Sequence, residues 1–242
     1  MAKTERVDVL LVARGLCDSR EQAKRLIMAG EVMNGTERVA KPSVKVATDA
    51  DLQVLERPKY VGRGGFKMEG ALEEFGIDPT GWVCLDVGAS TGGFTDCLLQ
   101  RGAARVHAID VGTNQLAWKI RSDERVVSRE QFNARHLTEA DLGERVRLAV
   151  MDLSFISLTK VLPAVFGVLE EGGEVVCLIK PQFELSKGEV GKGGIVREAA
   201  LHEKAVEKIR RFVAEAGREW RGVMVSPITG TDGNVEFLAR LG

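Results

Sequence analysis

The sequence predicts an α/β fold: a mostly parallel seven-stranded sheet with a terminal antiparallel hairpin, preceded by a small α+β module. Three observations predict it. From Trp82 onward, strand-like runs at 82–87, 105–110, 125–128, 147–152, 174–180, 219–226 and 234–240 alternate with helical patterns at 93–101, 113–121, 157–169 and 196–216. Such alternation calls for crossover helices on both faces of a parallel sheet. The last two strands are joined by the Gly/Asp stretch 229–234, too short for a crossover helix, so they pair antiparallel. The 242 residues exceed one average domain and fall short of two full-sized ones, which leaves room for one domain and a small appendage.

Composition narrows the class. Hydrophobic residues make up 44% and charged residues 29%, as in globular proteins. No apolar run approaches the roughly 20 residues of a membrane helix, and the charged N-terminal segment lacks a signal-peptide core, so a cytoplasmic location is expected. Cys17, Cys84, Cys97 and Cys177 show no C-x-x-C spacing, and His107, His136 and His202 are scattered. Neither a disulfide framework nor a metal site is expected. The net charge of −1 hides an asymmetry: residues 1–67 hold 13 Lys/Arg against 9 Asp/Glu, and the remainder 21 against 26. A basic front points to an anionic partner.

The first module reads in order. Val7, Leu10 and Leu11 share a helical face that Gly15 terminates. Ser19, with Gln22 three residues on, is a capping-box signature for a second helix. Ala23, Leu26 and Ile27 form that helix's apolar face, and Gly30 ends it. Asn34-Gly35 marks a tight turn between short strands. Taken alone, this pattern fits a helical hairpin with solvated charges as well as a binding module. Over residues 4–55, however, the run LLVARGLCDSREQAKRLIMAGEVMNG resembles the S4 RNA-binding domain. The resemblance implies RNA contacts by Arg14, Ser19, Arg20, Lys24 and Arg25. Folded RNA is read largely by shape and phosphate, which suits a small basic helix face.

The stretch 56–65, with Pro58 and three glycines, reads as a linker kept basic by Arg57, Lys59 and Arg63. Phe66, Leu72 and Phe75 then outline a helix with Lys67 at its beginning. The domain proper is expected over 66–242, after an S4-like domain over 1–55. Its first strand leads into LDVGASTGGF, 85–94, a glycine-rich turn before a helix N-terminus. The spacing is Asp-x-Gly-x-x-x-Gly-Gly, not the G-x-G-x-x-G of dinucleotide sites, which counts against a nicotinamide cofactor. It resembles the nucleoside loop of S-adenosylmethionine (SAM) methyltransferases. Asp110, ending the next strand, suits a pair of ribose hydroxyls. The SAM contacts expected are Asp86, Gly88, Ser90, Gly92, Asp110 and Asp152, with Asn133 placed where an adenine edge would lie. Asn133 equally suits a polar turn.

The run 175–179 reads as a strand buried on both faces, yet it delivers Lys180 at its tip, where Pro181 stops the ladder. Ligands of doubly wound sheets sit beyond such C-terminal ends, and Asp152 ends the strand before it. Glu236 falls on the terminal strand. Lys67, Asp152, Lys180 and Glu236 match in order the K-D-K-E tetrad of FtsJ-like RNA 2′-O-methyltransferases. With an S4 domain in front, the whole chain resembles the TlyA (hemolysin A) family. Supporting segments include GRGGFK (62–67), DVGTNQLAWKIR (110–121), MDLSFISL (151–158) and LIKPQFE (178–184). One departure is GRGG where many relatives have SRGG, which leaves the role of that serine open.

The resemblance implies a Rossmann-like, SAM-dependent enzyme that methylates cytidine 2′-hydroxyls of ribosomal RNA. Its partners would be ribosomal RNA or ribosomal subunits, with no membrane and no metal. A ribose hydroxyl is a very weak acid, and a lysine assists its attack only as the neutral amine. Burial beside a second cation favours that form, whereas neighbouring carboxylates hold the ammonium in place and stabilise charge after transfer. Four such groups titrate as a coupled unit. Lys180 is the expected base. The polar loop 182–196 is expected to close over substrate, with Arg63, Lys187, Lys192 and Arg197 meeting phosphates. Two other readings stand beside this one: a membrane-active hemolysin, and an RNA-binding protein on an inactive methyltransferase fold.

Overall fold

The structure, a computed structural model, describes residues 3–55 and 58–242. Glu56 and Arg57, which begin the expected linker, lie outside the described residues. The chain divides into two units, Met1–Lys59 and Tyr60–Gly242, with the division inside the stretch read as linker.

In the first unit β1 (Thr4–Arg6) runs into α1 (Val7–Ala13). Then follow α2 (Arg20–Met28), β2 (Val32–Asn34), β3 (Glu37–Arg38), β4 (Lys45–Ala47) and β5 (Leu52–Val54). β1 pairs antiparallel with β4, and β2 lies between β3 and β5. The two apolar helix faces meet as their spacing requires: Val7, Leu10 and Leu11 pack with Ala23 and Ile27. Gly15 adopts φ +68°, the left-handed turn that ends α1 without a Cβ clash. Ser19 caps α2 by accepting the Gln22 N–H. Gln22 returns its side chain to the N–H of Asp18 instead of Ser19, so the reciprocal half of the capping box is displaced by one residue.

The second unit begins with α3 (Gly64–Glu74), two residues ahead of the expected start. β6 (Val83–Val87), α4 (Gly93–Gln100), β7 (Arg105–Ile109), α5 (Trp118–Arg121), β8 (Val126–Arg129), α6 (Glu139–Leu142) and β9 (Val146–Met151) follow. The chain closes with α7 (Leu162–Gly167), β10 (Leu169–Ile179), α8 (Pro181–Glu184), α9 (Ala199–Glu215), β11 (Trp220–Val225) and β12 (Phe237–Leu241). One seven-stranded sheet has the order β11-β12-β10-β9-β6-β7-β8. β10, β9, β6, β7 and β8 are mutually parallel, and β12 is antiparallel to both β10 and β11. Two apolar cores flank the sheet, one holding Cys177 and Ile179 and the other Val176 and Leu178. Residues 175–179 are at most 1% exposed, which explains their continuous apolar run.

Three of the departures from expectation have a local reason. The helix expected over 113–121 shrinks to α5, because Asp110 captures the Gly112 N–H and Asn114 takes φ +54°. The helix expected over 157–169 breaks into a 3₁₀ turn at Leu158–Lys160 and α7, which has Pro163 near its start, and its last residue opens β10. Glu236 precedes β12 instead of lying on it. None of the four cysteines forms a disulfide, and all are buried.

Asp8 ties the first unit together. Fully buried on α1, its carboxylate accepts from Arg6 Nε at 2.9 Å, Arg6 Nη2 at 3.0 Å and Arg20 Nη2 at 2.8 Å. Hydrogen bonding from Arg6, reinforced by Arg20, holds its carboxyl down to about 2. A depressed carboxyl stabilises the fold above the ordinary value of 3.8, and that contribution is lost as pH falls towards 2. Asp8→Asn should therefore cost about 1–3 kcal/mol at neutral pH. It should also flatten the acid unfolding of the α1–α2 amide signals in two-dimensional NMR. An unchanged acid midpoint for those signals would contradict the assignment.

Candidate active site

The site lies at the C-terminal ends of the parallel strands. β6 ends in a turn whose first glycine, Gly88, has φ +83°. A Cβ there would stand 2.5 Å from the Asp152 carbonyl oxygen, so the loop after β6 and the tip of β9 meet backbone to backbone. Gly92 (φ +93°) caps α4 with its Cα face against Leu116 and Ile120. Ser90 between them is also left-handed, at φ +48°, a conformation that non-glycine residues adopt at a cost. Its N–H donates to Asp110 Oδ2 at 2.8 Å while Gly112 N–H donates to Oδ1 at 2.7 Å. Each carboxylate oxygen of Asp110 keeps a further lone pair for an incoming hydroxyl.

Asp86, the penultimate residue of β6, is fully buried. Its Oδ2 accepts from Thr95 N at 3.0 Å and Thr95 Oγ1 at 2.6 Å. Its Oδ1 is buried without a hydrogen-bond partner. Burial pushes this carboxyl up to about 7; the Thr95 bonds oppose the rise and the Asp152 charge adds to it. A buried acceptor with no donor is costly, and a cationic or amide donor from a ligand would satisfy it.

Across the strand tips runs an alternating chain of charges. Glu236 Oε2 lies 2.6 Å from Lys67 Nζ, which stands 4.0 Å from Asp152 Oδ2. Asp152 Oδ1 lies 2.6 Å from Lys180 Nζ, which also donates to Ser154 Oγ at 3.1 Å. The Lys67, Lys180 and Glu236 side chains are only 9%, 11% and 3% exposed, so each ammonium is compensated at short range. The four residues come from α3, the tips of β9 and β10, and the approach to β12. Sheet register sets the central pair: Cys177 of β10 is level with Met151 of β9, the residue before Asp152.

Two cavities meet at this chain. One, of about 660 Å³, is lined by Gly88, Ser90, Asp110, Asn133 and Asp152. The other, of about 610 Å³, is lined by Arg63, Lys67, Asp152, Lys180 and Glu236. Gly88, Ser90, Asp152, Ser154 and Phe155 border both. A cleft of about 110 Å³ beside Asp86, Gly88 and Ser90 adjoins them. The geometry thus offers two ligand compartments that share a wall of backbone and carboxylate.

The remaining predicted residues divide by position. Asn133 lines the first cavity, but its Oδ1 already accepts from Arg135 N and Nε, so its carbonyl is partly committed to the turn. Gly92 lines none of these cavities. Arg63 reaches Thr229 O at 2.9 Å, whereas Lys187, Lys192 and Arg197 are exposed and do not line the second cavity. In the first unit Ser19 is spent on its cap and Arg14 bonds the carbonyls of Thr48 and Ala50. Arg20 is paired with Asp8, Lys24 pairs with Glu21, and Arg25 is exposed. Residues not singled out from sequence include Ser154, Phe155 (91% exposed, φ +64°), Phe183 and Asn234. Asn234 bridges Val196 N and Gly194 O, tethering the loop at the mouth of the second cavity. Ser154, Phe155 and Phe183 lie within three residues of a predicted strand tip, and that proximity was the available signal.

Comparison with known proteins follows the same division. The family model described as FtsJ-like methyltransferase matches residues 60–242, and the S4 domain model matches residues 5–52. The 16S/23S rRNA (cytidine-2′-O)-methyltransferase TlyA of Mycobacterium tuberculosis is 49% identical over 98% of this chain and 89% of its own length. A Bacillus subtilis protein, YqxC, described as a candidate rRNA methyltransferase, is 48% identical over 99% of this chain and 86% of its own. A solved structure from Streptococcus thermophilus, described as a candidate hemolysin, superposes with TM-score 0.75 at 47% identity, covering 100% of this chain and 89% of that one. Among the described residues no helix is long and apolar enough to cross a membrane. On this evidence the chain belongs to the FtsJ-like methyltransferase family, in the TlyA group that carries an N-terminal S4 domain.

Proposed function

We propose that this protein transfers a methyl group from SAM to a ribose 2′-hydroxyl of ribosomal RNA, a cytidine hydroxyl, in the cytoplasm. The observation that carries this reading is the alternating Glu236–Lys67–Asp152–Lys180 chain at the meeting of two cavities. The cavity beside Asp110 suits the nucleoside of the cofactor: Asp110 accepts ribose hydroxyls, and Asn133 with the adjoining backbone meets the base. Asp86, with its unpartnered oxygen, suits a donor at the amino-acid end. Gly88, Ser90 and Gly92 shape the loop between them. Bound SAM supplies an electrophilic methyl on a cationic sulfur.

The second cavity then takes the target nucleotide. Lys180, an ammonium in the ligand-free pair, gives up its proton to solvent as the nucleotide enters, and its neutral Nζ would then accept the hydroxyl proton as the ribose oxygen takes the methyl that bound SAM would supply. Asp152, 2.6 Å away, stabilises the ammonium so formed. Lys67 holds Asp152 and Glu236 in line and keeps Asp152 from taking the proton itself. Charge balances throughout: with Lys180 neutral the four groups sum to −1, complementing a cationic donor. Transfer neutralises the donor and restores the positive charge to Lys180. The S4 unit, with Arg14, Ser19, Arg20, Lys24 and Arg25, docks the RNA. Arg63, Lys187, Lys192 and Arg197 meet RNA phosphates, and ribosomal subunits or their RNA are the partners.

Two outcomes test this reading. Tritiated methyl from SAM should enter RNA in separated 30S subunits, 50S subunits or free rRNA. Lys180→Ala should lower the rate by about 10²–10⁴-fold while retaining SAM binding by calorimetry. Near-full activity in the variant would sink the base assignment. No label with wild-type protein and no SAM binding would favour an RNA-binding scaffold. Haemolysis by purified protein without SAM would favour the membrane-active reading.

Asp86 provides a pH test. A carboxyl raised from 3.8 to about 7 in the folded state contributes stability that is fully present below about 4 and is lost as pH rises through 7. Asp86→Asn should therefore raise the melting temperature of the ligand-free protein at pH 8 while weakening SAM binding at least tenfold. A melting temperature that drops at pH 8, or unchanged SAM affinity, would contradict the assigned role.

A further inference from the structure

We propose that Glu184 is a positioning residue that fixes Lys180 against Asp152, a proposal that rests on reading these residues as the methyl-transfer site. Glu184 ends α8, one helical turn beyond Lys180, and lines neither cavity. Its side chain is 1% exposed, and both oxygens are committed. Oε1 accepts the Leu158 N–H at 2.7 Å, and Oε2 accepts the Ser157 hydroxyl at 2.5 Å. Lys208 of α9 donates to Oε2 at 2.9 Å, to the Glu184 carbonyl at 2.7 Å and to Ser157 Oγ at 3.3 Å.

These contacts have a consequence for the active lysine. α8 is only four residues long, far below the length at which a helix holds itself in water, so its direction comes from what it touches. Lys180 is its N-cap, carried on the end of β10 with extended backbone angles, so what α8 controls is how the loop bearing Asp152 and Ser154 is held against it. The loop 152–158, which follows β9, touches α8 at three places. Lys180 meets Asp152 and Ser154 at one end, the Phe155 and Phe183 rings lie 5.2 Å apart in the middle, and Glu184 binds Ser157 and Leu158 at the other end. The middle contact joins a largely exposed ring to a half-buried one, so the buried Glu184 anchor fixes the far end. Without it the Leu158 N–H loses its acceptor, Lys208 loses its counter-charge, and the loop carrying Asp152 and Ser154 is free to shift against α8 and Lys180. A relative displacement of about 1 Å between Lys180 and Asp152 is enough to cost about 100-fold in rate.

The test uses the full-length protein carrying ¹³C,¹⁵N-lysine, with the Lys180 side-chain signal assigned by Lys180→Arg. In the ligand-free protein Glu184→Ala should move the Lys180 signal towards that of solvent-exposed lysines, and Glu184→Gln, which keeps an acceptor, should move it much less. In methyl transfer Glu184→Ala should lower kcat about 100-fold with KM for RNA within about threefold, and Glu184→Gln should recover most of that loss. A raised KM with unchanged kcat would overturn the proposal. A folded Glu184→Ala protein with an unmoved Lys180 signal would overturn it whatever the rate. Should Glu184→Ala fail to fold, Ser157→Ala removes one tether from outside the helix. It should give a smaller shift of the same sign, and an unmoved signal there overturns the proposal too. Because the lysine signal is read without cofactor or RNA, it remains decisive if the wild-type protein methylates none of the RNAs offered.

Discussion

The contact between Lys180 and Asp152 is the constraint on which the rest of the site depends. Removing an ammonium and a carboxylate from water costs several kcal/mol per ion, and only short, well-directed pairing offsets it. At 2.6 Å the pair supplies the closeness, while Asp152 Oδ1 still lacks an aligned hydrogen-bond donor, so the cost is offset only in part. β9 and β10 are parallel neighbours in a register that sets Cys177 level with Met151, so Lys180 stands two residues beyond the level of Asp152. Both strands are buried on each face, so neither can slip without moving an entire row of core side chains. Lys67 and Glu236 extend the pairing outward, each charge flanked by its opposite. Every member that is changed leaves a neighbour uncompensated, so single substitutions here should not behave additively.

The glycine loop shares the same scaffold. Gly88 lies against the Asp152 carbonyl so closely that the loop after β6 and the tip of β9 have one common wall. A side chain at Gly88 would displace Asp152 and disturb both compartments. Asp86 behind this wall keeps one oxygen without a partner in an apolar setting. That arrangement sacrifices stability in the ligand-free protein and favours whatever donor enters, a pattern common at binding sites.

Much of this was legible in the sequence because the signals are local. A continuous apolar run that ends in lysine and proline marks a buried strand tip, and the same reading applies to Asp152. The parallel order with its closing hairpin followed from the alternation and from the short 229–234 connection. Terminal details were less legible. Pro163 was a visible reason to split the helix over 157–169, but the capture of Gly112 by Asp110, which shortens α5, depends on a contact made only after folding. Glu184 could not be singled out either, since its partners Ser157, Leu158 and Lys208 are remote in sequence. In the first unit the basic residues of α2 were evident, whereas the burial of Asp8 beneath Arg20 was not.

The account stands on the claim that this array of charges activates a ribose hydroxyl and not a base nitrogen or carbon. The most direct measurement is mass spectrometry of nucleosides from ribosomal RNA treated with the protein and deuterated-methyl SAM. The account predicts the deuterated methyl on ribose, as 2′-O-methylcytidine. Deuterated methyl on a base ring, with none on ribose, would contradict it.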